Sequence, residues 1–428
     1  MYISSIEIKN IRSISQLKLS LPDGGGWHVV IGDNGSGKST FMQSVALALV
    51  GHGNALALRQ NWNNWLRRGK ILGEIRIKIT INQELDKHHS AVPSNQQESQ
   101  WEMQFDEVPA GWALLTQLDD NGSSISAIEK WAEKSGWFSA AYGPFRRFSG
   151  GDKSYESLYK SYPKLAAHLS VFGEDIALTE TLEWLKELRF KELESKPEGF
   201  LLDDIRDFIS QEGFLPHHAR LVSISSDEVK FVDGNNYELP IEELSDGYRS
   251  VLSMTLELIR QLSRAYKRED IFDPKDNKTI IAPGVVLIDE VDAHLHPTWQ
   301  KSIGFWFRKH FPNIQFIVAT HSPLVCQAAT TVFRLPKPGS DEEGRMITGD
   351  ELNRLRLGNV LDAYGTELFG EDVTRSDESK KMLHRLAELN VKEIRGRLTE
   401  KERKEQEKLR ASMPTTAHNL SLLEDEAK

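Results

Sequence analysis

The sequence predicts an α/β fold, a mixed β-sheet core flanked by helices, and three observations carry that prediction. The apolar run Trp27 to Ile31 leads into Gly32-Asp33-Asn34-Gly35-Ser36-Gly37-Lys38-Ser39, and a helix-forming run from Thr40 to Val50 follows. Val285 to Asp289 and Ile314 to Ala319 are short β-rich runs suited to a buried parallel sheet, with a crossover helix over Trp299 to His310 between them. Residues 72–82 alternate strictly, isoleucines on one face, which marks a half-buried strand.

The remaining elements follow in order. Residues 2–9 and 14–21 read as strands around Asn10-Ile11-Arg12-Ser13, and Pro22 to Gly26 as a turn. His88 to Gln100 is polar and reads as a loop. Trp137 to Tyr142 reads as a buried strand closed by Gly143-Pro144. Residues 154–212 read as helical, broken near Lys196-Pro197-Glu198-Gly199. Residues 220–240 read as short strands with Asp233-Gly234-Asn235-Asn236 as a hairpin turn. Phe333 to Pro336 is a candidate last strand. Asn359 to Phe369 and Met382 to Leu398 read as amphipathic, able to pack on their own head or to dock a partner. The charges of Leu398 to Leu409 are mixed in sign, as on a solvated helical face. The expected organisation is a head over residues 1–345 with an inserted lobe at roughly 55–240. A helical extension follows over residues 346–428, fraying from about residue 415.

Composition narrows the class. Hydrophobic residues make up 39% and charged residues 27%, and the net charge of -10 argues against a uniformly basic nucleic-acid coat. A single cysteine, Cys326, excludes an internal disulfide and fits a reducing cytosol. No run approaches the roughly 18 apolar residues of a membrane helix, so the expectation is a cytoplasmic protein with no membrane partner.

The Gly32–Ser39 spacing is that of a phosphate-binding loop. Its glycines let backbone N–H groups fold around phosphate oxygens, and the helix start adds its positive dipole end. Lys38 is expected to bridge the β- and γ-phosphates and Ser39 to ligate Mg2+. Asp289 and Glu290 end an apolar strand. Asp289 is expected to hold Mg2+ and Glu290 to polarise the water that attacks the γ-phosphate. Ser245-Asp246-Gly247 precedes a strong helix from Val251 to Leu262, so its backbone offers a second anion site. His321 follows a buried strand and could sense the γ-phosphate.

In this order the motifs resemble those of ABC-type ATPases, and the chain looks most similar to the branch of RecF, the structural-maintenance-of-chromosomes (SMC) heads and the overcoming-lysogenisation-defect nucleases. Ile6 to Arg12, Gly32-Asp33-Asn34-Gly35 and the run Asp289 to Pro297 carry the resemblance, which spans most of residues 1–330. It implies ATP and Mg2+ as ligands, with ATP held by Asn34, Gly35, Ser36, Gly37, Lys38, Ser39 and Thr40, and with Arg12 reaching the phosphates. It also implies Glu290 and His321 as catalytic residues and Asp292 and His294 in the D-loop. Ser245, Asp246 and Gly247 become a signature that caps ATP on a second copy. Asp246 stands where many relatives have glycine. Gln83 is a weak candidate for the glutamine loop and its metal contact, and Tyr142 to Arg147 resembles a motif of the branch.

Roughly 205 residues separate Lys38 from Ser245, and they lack the heptads of a long coiled-coil arm. Residues 330–428 lack the carboxylate pattern of the nuclease domain found in the lysogenisation-defect enzymes, so no intrinsic nuclease is expected. The resemblance implies a slow ATPase that forms a homodimer around ATP, or a higher oligomer of such dimers, and controls a separate effector. In Septu-type antiphage modules similar heads are paired with an HNH nuclease. A RecF-like repair factor and an ATP-glued scaffold are the alternatives. Leu58 to Lys70 mixes tryptophans with bases; it is a candidate nucleic-acid contact, with packing of the tryptophans on the head as the competing reading.

Overall fold

The computed structural model describes residues 1–58, 60–80, 98–107, 113–118, 138–144, 161–173, 180–211, 213–215, 219–225, 228–340, 342–360, 363, 367–369 and 376–412. Two compact units divide at residues 363 and 364.

In the first unit, β1 (Tyr2–Ile11) pairs antiparallel with β2 (Ile14–Ser20), and β3 (Gly26–Ile31) follows in a different sheet. Helix α1 (Lys38–Val50) comes next, then β4 (Leu72–Thr80), β5 (Glu98–Glu107) and β6 (Ala113–Leu118). The order β2-β1-β4-β5-β6 makes one antiparallel sheet. The start of β5 falls in the stretch that sequence alone reads as a loop. Its polar ends hide an alternation in which Trp101, Met103 and Phe105 are buried.

Strand β7 (Ser139–Tyr142) joins the second sheet. Helices α2 (Glu180–Leu193) and α3 (Leu201–Ile209) flank a break at residues 197–200. Strands β8 (Arg220–Ile224), β9 (Val229–Val232) and β10 (Glu238–Pro240) form a small antiparallel sheet with its turn at Asp233 to Asn236. Helix α4 (Asp246–Ala265), β11 (Gly284–Ile288), α5 (Pro297–His310), β12 (Ile314–Ala319), β13 (Thr331–Arg334), β14 (Arg345–Ile347) and α6 (Gly349–Leu357) complete the unit.

The second sheet runs β14-β13-β3-β12-β11-β7. It is parallel except for the β13–β14 pair, hence mixed. Its central strands are buried on both faces, which explains their unbroken apolar sequences. Helix α1 is buried nearly all round and shares one apolar cluster with strands of both sheets. A helix apolar on every side must be covered on every side. Gln315 on β12 fastens the two sheets, bonding both the N–H and the carbonyl of Ile3.

Two of these contacts place the site. The Asp289 N–H donates to the Tyr142 carbonyl, and the Val291 N–H donates to the Ala319 carbonyl. The end of β11 is thus held from both neighbouring strands.

The second unit contains a helical hairpin, α7 (Asp377–Ile394) and α8 (Glu400–Ser412). Its helices are joined by Arg385–Glu405, Lys392–Glu402 and Arg410–Glu393 ion pairs.

Candidate nucleotide site

The loop between β3 and α1 is shaped by two glycines. Gly35 and Gly37 have φ of 80° and 99°, the left-handed region that side chains disfavour. Gly37 also lies under the β1–β2 turn, where a Cβ would meet the Ser13 Oγ at 2.8 Å. The buried Ser36 hydroxyl has no hydrogen-bond partner, and α1 begins without a side-chain cap. A helix start with uncapped N–H groups beside an unpartnered hydroxyl fits an anion.

Lys38 is buried and its Nζ donates to the carbonyls of Gly32 (2.8 Å) and Asp33 (3.0 Å). Burial lowers its pKa, against the pull of Asp289, Glu290, Asp33 and Asp292. Asn34, Gly35 and Ser39 are exposed at the loop rim and Thr40 is half-buried behind them.

Asp289 is buried at the strand end, and Glu290 follows with φ of 46°. A glutamate in the left-handed region costs about 1 kcal/mol or more. His294, four residues on, has φ of 65°, and Arg12 has φ of 46°. Three strained non-glycine residues therefore fall in the motifs singled out from sequence. Asp292 accepts a hydrogen bond from the Thr320 hydroxyl. The same Thr320 oxygen accepts the Ser322 N–H at 2.9 Å. His321 between them has a lowered pKa, first through burial and then through the Lys38 charge, with Asp292, Asp289 and Asp33 opposing.

Arg12 is clamped from three directions. Its guanidinium bonds the Gln43 side chain on α1 and lies 4.2 Å from the centre of the Trp65 ring, and the Arg12 backbone N–H donates to the Trp65 carbonyl at 2.8 Å. Trp65 is fully buried and stacks on Phe105, and Arg67 donates to the Ser13 carbonyl. The fully buried Trp65 is thus a packing anchor with no face left for a nucleic-acid base.

Ser245 caps α4 with extended backbone, yet its side chain accepts no cap bond. Ser322 and Ser376 do cap their helices. Ser245 and Asp246 are exposed, and Asp246 pairs with Arg249. A Cβ on Gly247 would meet the His294 carbonyl oxygen at 2.9 Å, so the start of α4 packs on the segment after Glu290.

Gln83, Arg146 and Arg147 lie outside the described residues. Sequence reasoning did not single out Gln43, whose only signal was its place on the loop helix, and it gave Thr320 no role beyond preceding His321. Packing of the tryptophans, the competing reading for Leu58 to Lys70, is what Trp65 does.

The fold is shared with the Smc head, and the motifs placed on it are similar to those of P-loop ATPases. Residues 1–108 match a family model described as "AAA ATPase domain", and residues 119–327 one described as "AAA domain, putative AbiEii toxin, Type IV TA system". The chain is 27% identical over 335 residues to Septu protein PtuA of Bacillus mycoides (strain KBAB4), covering 76% of this chain and 38% of that protein. It is 24% identical over 378 residues to Retron Vc95 probable ATPase of Vibrio cholerae serotype O1 biovar El Tor, covering 77% and 72%. The chain thus spans well under half the length of the Bacillus mycoides relative. Among solved structures, the Smc head bound to the C-winged helix domain of ScpA superposes with a TM-score of 0.51 at 16% identity, over 81% of this chain and 98% of that one. No helix among the described residues is long and apolar enough to cross a membrane.

Proposed function

We propose that two copies of this chain close head to head around ATP and hydrolyse it, and that the closed pair controls a separate effector. The observation that carries this reading is Ser245, an exposed N-cap on a 20-residue helix whose hydroxyl makes no cap bond in its own chain. Uncapped N–H groups behind an exposed hydroxyl suit a phosphate brought by a second copy.

The loop amides and Lys38 would hold the phosphates, which requires Lys38 to leave the Gly32 and Asp33 carbonyls. Ser39 and Asp289 would hold a Mg2+ ion, which supplies neutralisation of phosphate charge. Glu290 would orient and deprotonate the attacking water. His321, kept neutral by its surroundings, would donate or accept a hydrogen bond at the γ-phosphate. Arg12, held by Gln43 and Trp65, would reach the same ligand. Such a device turns over slowly because each cycle requires the pair to open.

Light scattering tests the pairing. Glu290→Gln should bind ATP and double in mass on its addition, and Lys38→Ala should do neither. A Glu290→Gln mass indifferent to ATP would refute the shared site. Phosphate release then tests hydrolysis, which should vanish in Glu290→Gln.

The relatives named as Septu and retron proteins favour an antiphage-defence role. We assign the effector to a nuclease, with an HNH enzyme as the leading class. Capture from the native cell on Glu290→Gln with ATP should retain a DNA- or RNA-cleaving activity. A captured fraction without nuclease activity would remove the assignment.

A further inference from the structure

The hairpin of α7 and α8 lies beyond both family-model matches, and α8 carries a strip of exposed lysines. Residues 376–412 carry eleven lysines and arginines against eight acids, in a chain whose net charge is -10. The acids facing between the helices are consumed. Glu402 pairs with Lys392, Glu405 with Arg385 and Glu393 with Arg410. The buried Gln406 bonds Asn390 and Glu393 in the same seam.

The outer face of α8 is different. Lys401, Lys404 and Lys408 are all exposed, and among the described residues none of them forms an ion pair. At 100° per residue they fall within an arc of about 60°, and their Cα atoms span about 10 Å along the axis. Exposed Arg395 and Arg397 continue the positive charge at the hairpin turn. Exposed Glu400 and Glu407 lie to one side of the stripe.

We propose that this stripe binds the phosphate backbone of a nucleic acid. About 10 Å of axis corresponds to some three phosphates of one strand at 3.4 Å each, so three lysines meet three charges. An acidic protein is the weaker candidate. Protein interfaces centre on aromatic and apolar anchors and are depleted of lysine. On α8 the one large apolar side chain, Leu409, is half-buried, while the stripe consists of lysine ammonium groups on aliphatic stems. The site reads charge, not sequence, because it contacts phosphates alone.

The test is fluorescence anisotropy on the full chain with three labelled probes of about 25 nucleotides or base pairs at low salt: duplex DNA, single-stranded DNA and duplex RNA. At least one should bind with a steep salt dependence. The Lys401→Ala/Lys404→Ala/Lys408→Ala variant should weaken that binding tenfold or more and lower the salt slope by about 2 to 3. The corresponding triple arginine variant should restore it. Alanine favours helix more than lysine, so the variant should keep its helical circular dichroism; a triple glutamine variant gives the same readout if it does not. The proposal is overturned if the wild-type chain binds none of the probes. It is also overturned if the alanine and glutamine variants bind like wild type, or if poly-glutamate of equal charge competes as well as the bound probe.

Discussion

The carboxylate of Asp292 accepts a hydrogen bond from the hydroxyl of Thr320, tying the segment after Glu290 to the residue before His321. This bond joins the ends of β11 and β12, two neighbouring parallel strands, at the level where the loop after β3 also emerges. A change at one strand end is thereby felt at the other. Thr320→Val keeps the shape and removes the donor. We expect kcat for ATP to fall about tenfold, the worth of a hydrogen bond to a charged group, with little change in ATP affinity. Steady-state phosphate release with an equilibrium nucleotide titration checks this, and equal losses in both quantities would contradict it.

Gly247 faces the backbone of His294, which has no flexible end to move aside. Gly247→Ala should therefore displace the start of α4. The expected outcome is a chain that binds ATP normally as a monomer and no longer doubles in mass with ATP in the Glu290→Gln background. Light scattering on the double variant reads it directly.

Gln43 holds Arg12 with its carbonyl oxygen while its amide donates to the Val171 carbonyl at 2.8 Å. Gln43→Met fills the space and frees Arg12. A few-fold weaker ATP affinity with nearly unchanged thermal stability is expected from nucleotide titration and a melting curve. A change in stability alone would make Gln43 purely structural.

Three buried histidines, His28, His168 and His310, make stability depend on pH, the first two most strongly. Burial, helped by Arg308, pushes His28 down to about 4. Burial, helped by the Lys164 charge and opposed by its bond to the Lys164 carbonyl, pushes His168 down to about 3. Both are lowered from 6.5, so the unfolded chain takes up these protons first. Their contribution is complete above about pH 6.5 and is lost as pH falls towards the folded values. At pH 5 each should cost about 2 kcal/mol. Urea unfolding at pH 7 and pH 5 measures the sum, and His28→Gln should flatten the dependence by about half.

The glycine-rich loop between β3 and α1 and the Asp289–Glu290 pair at the end of β11 could be placed from sequence because fixed residue types at fixed spacing sit next to apolar strands. Strand β5 was harder to read, since only every second residue from Trp101 to Phe105 is apolar and its ends are charged. The Gly247–His294 approach was not legible at all: nothing local to either residue specifies a partner 47 positions away. Nor does a glutamate advertise a left-handed backbone, a role that sequence reading assigns to glycine or asparagine.

That backbone has a practical consequence. Glycine at position 290 would relieve the local strain at φ of 46°, whereas almost any other residue would keep it. A laboratory selection for heat resistance alone would therefore favour Glu290→Gly, the change that deletes the carboxylate. Engineered stability and catalytic competence pull in opposite directions at this one position. A thermostabilised variant should be sequenced there before its silence is blamed on anything else.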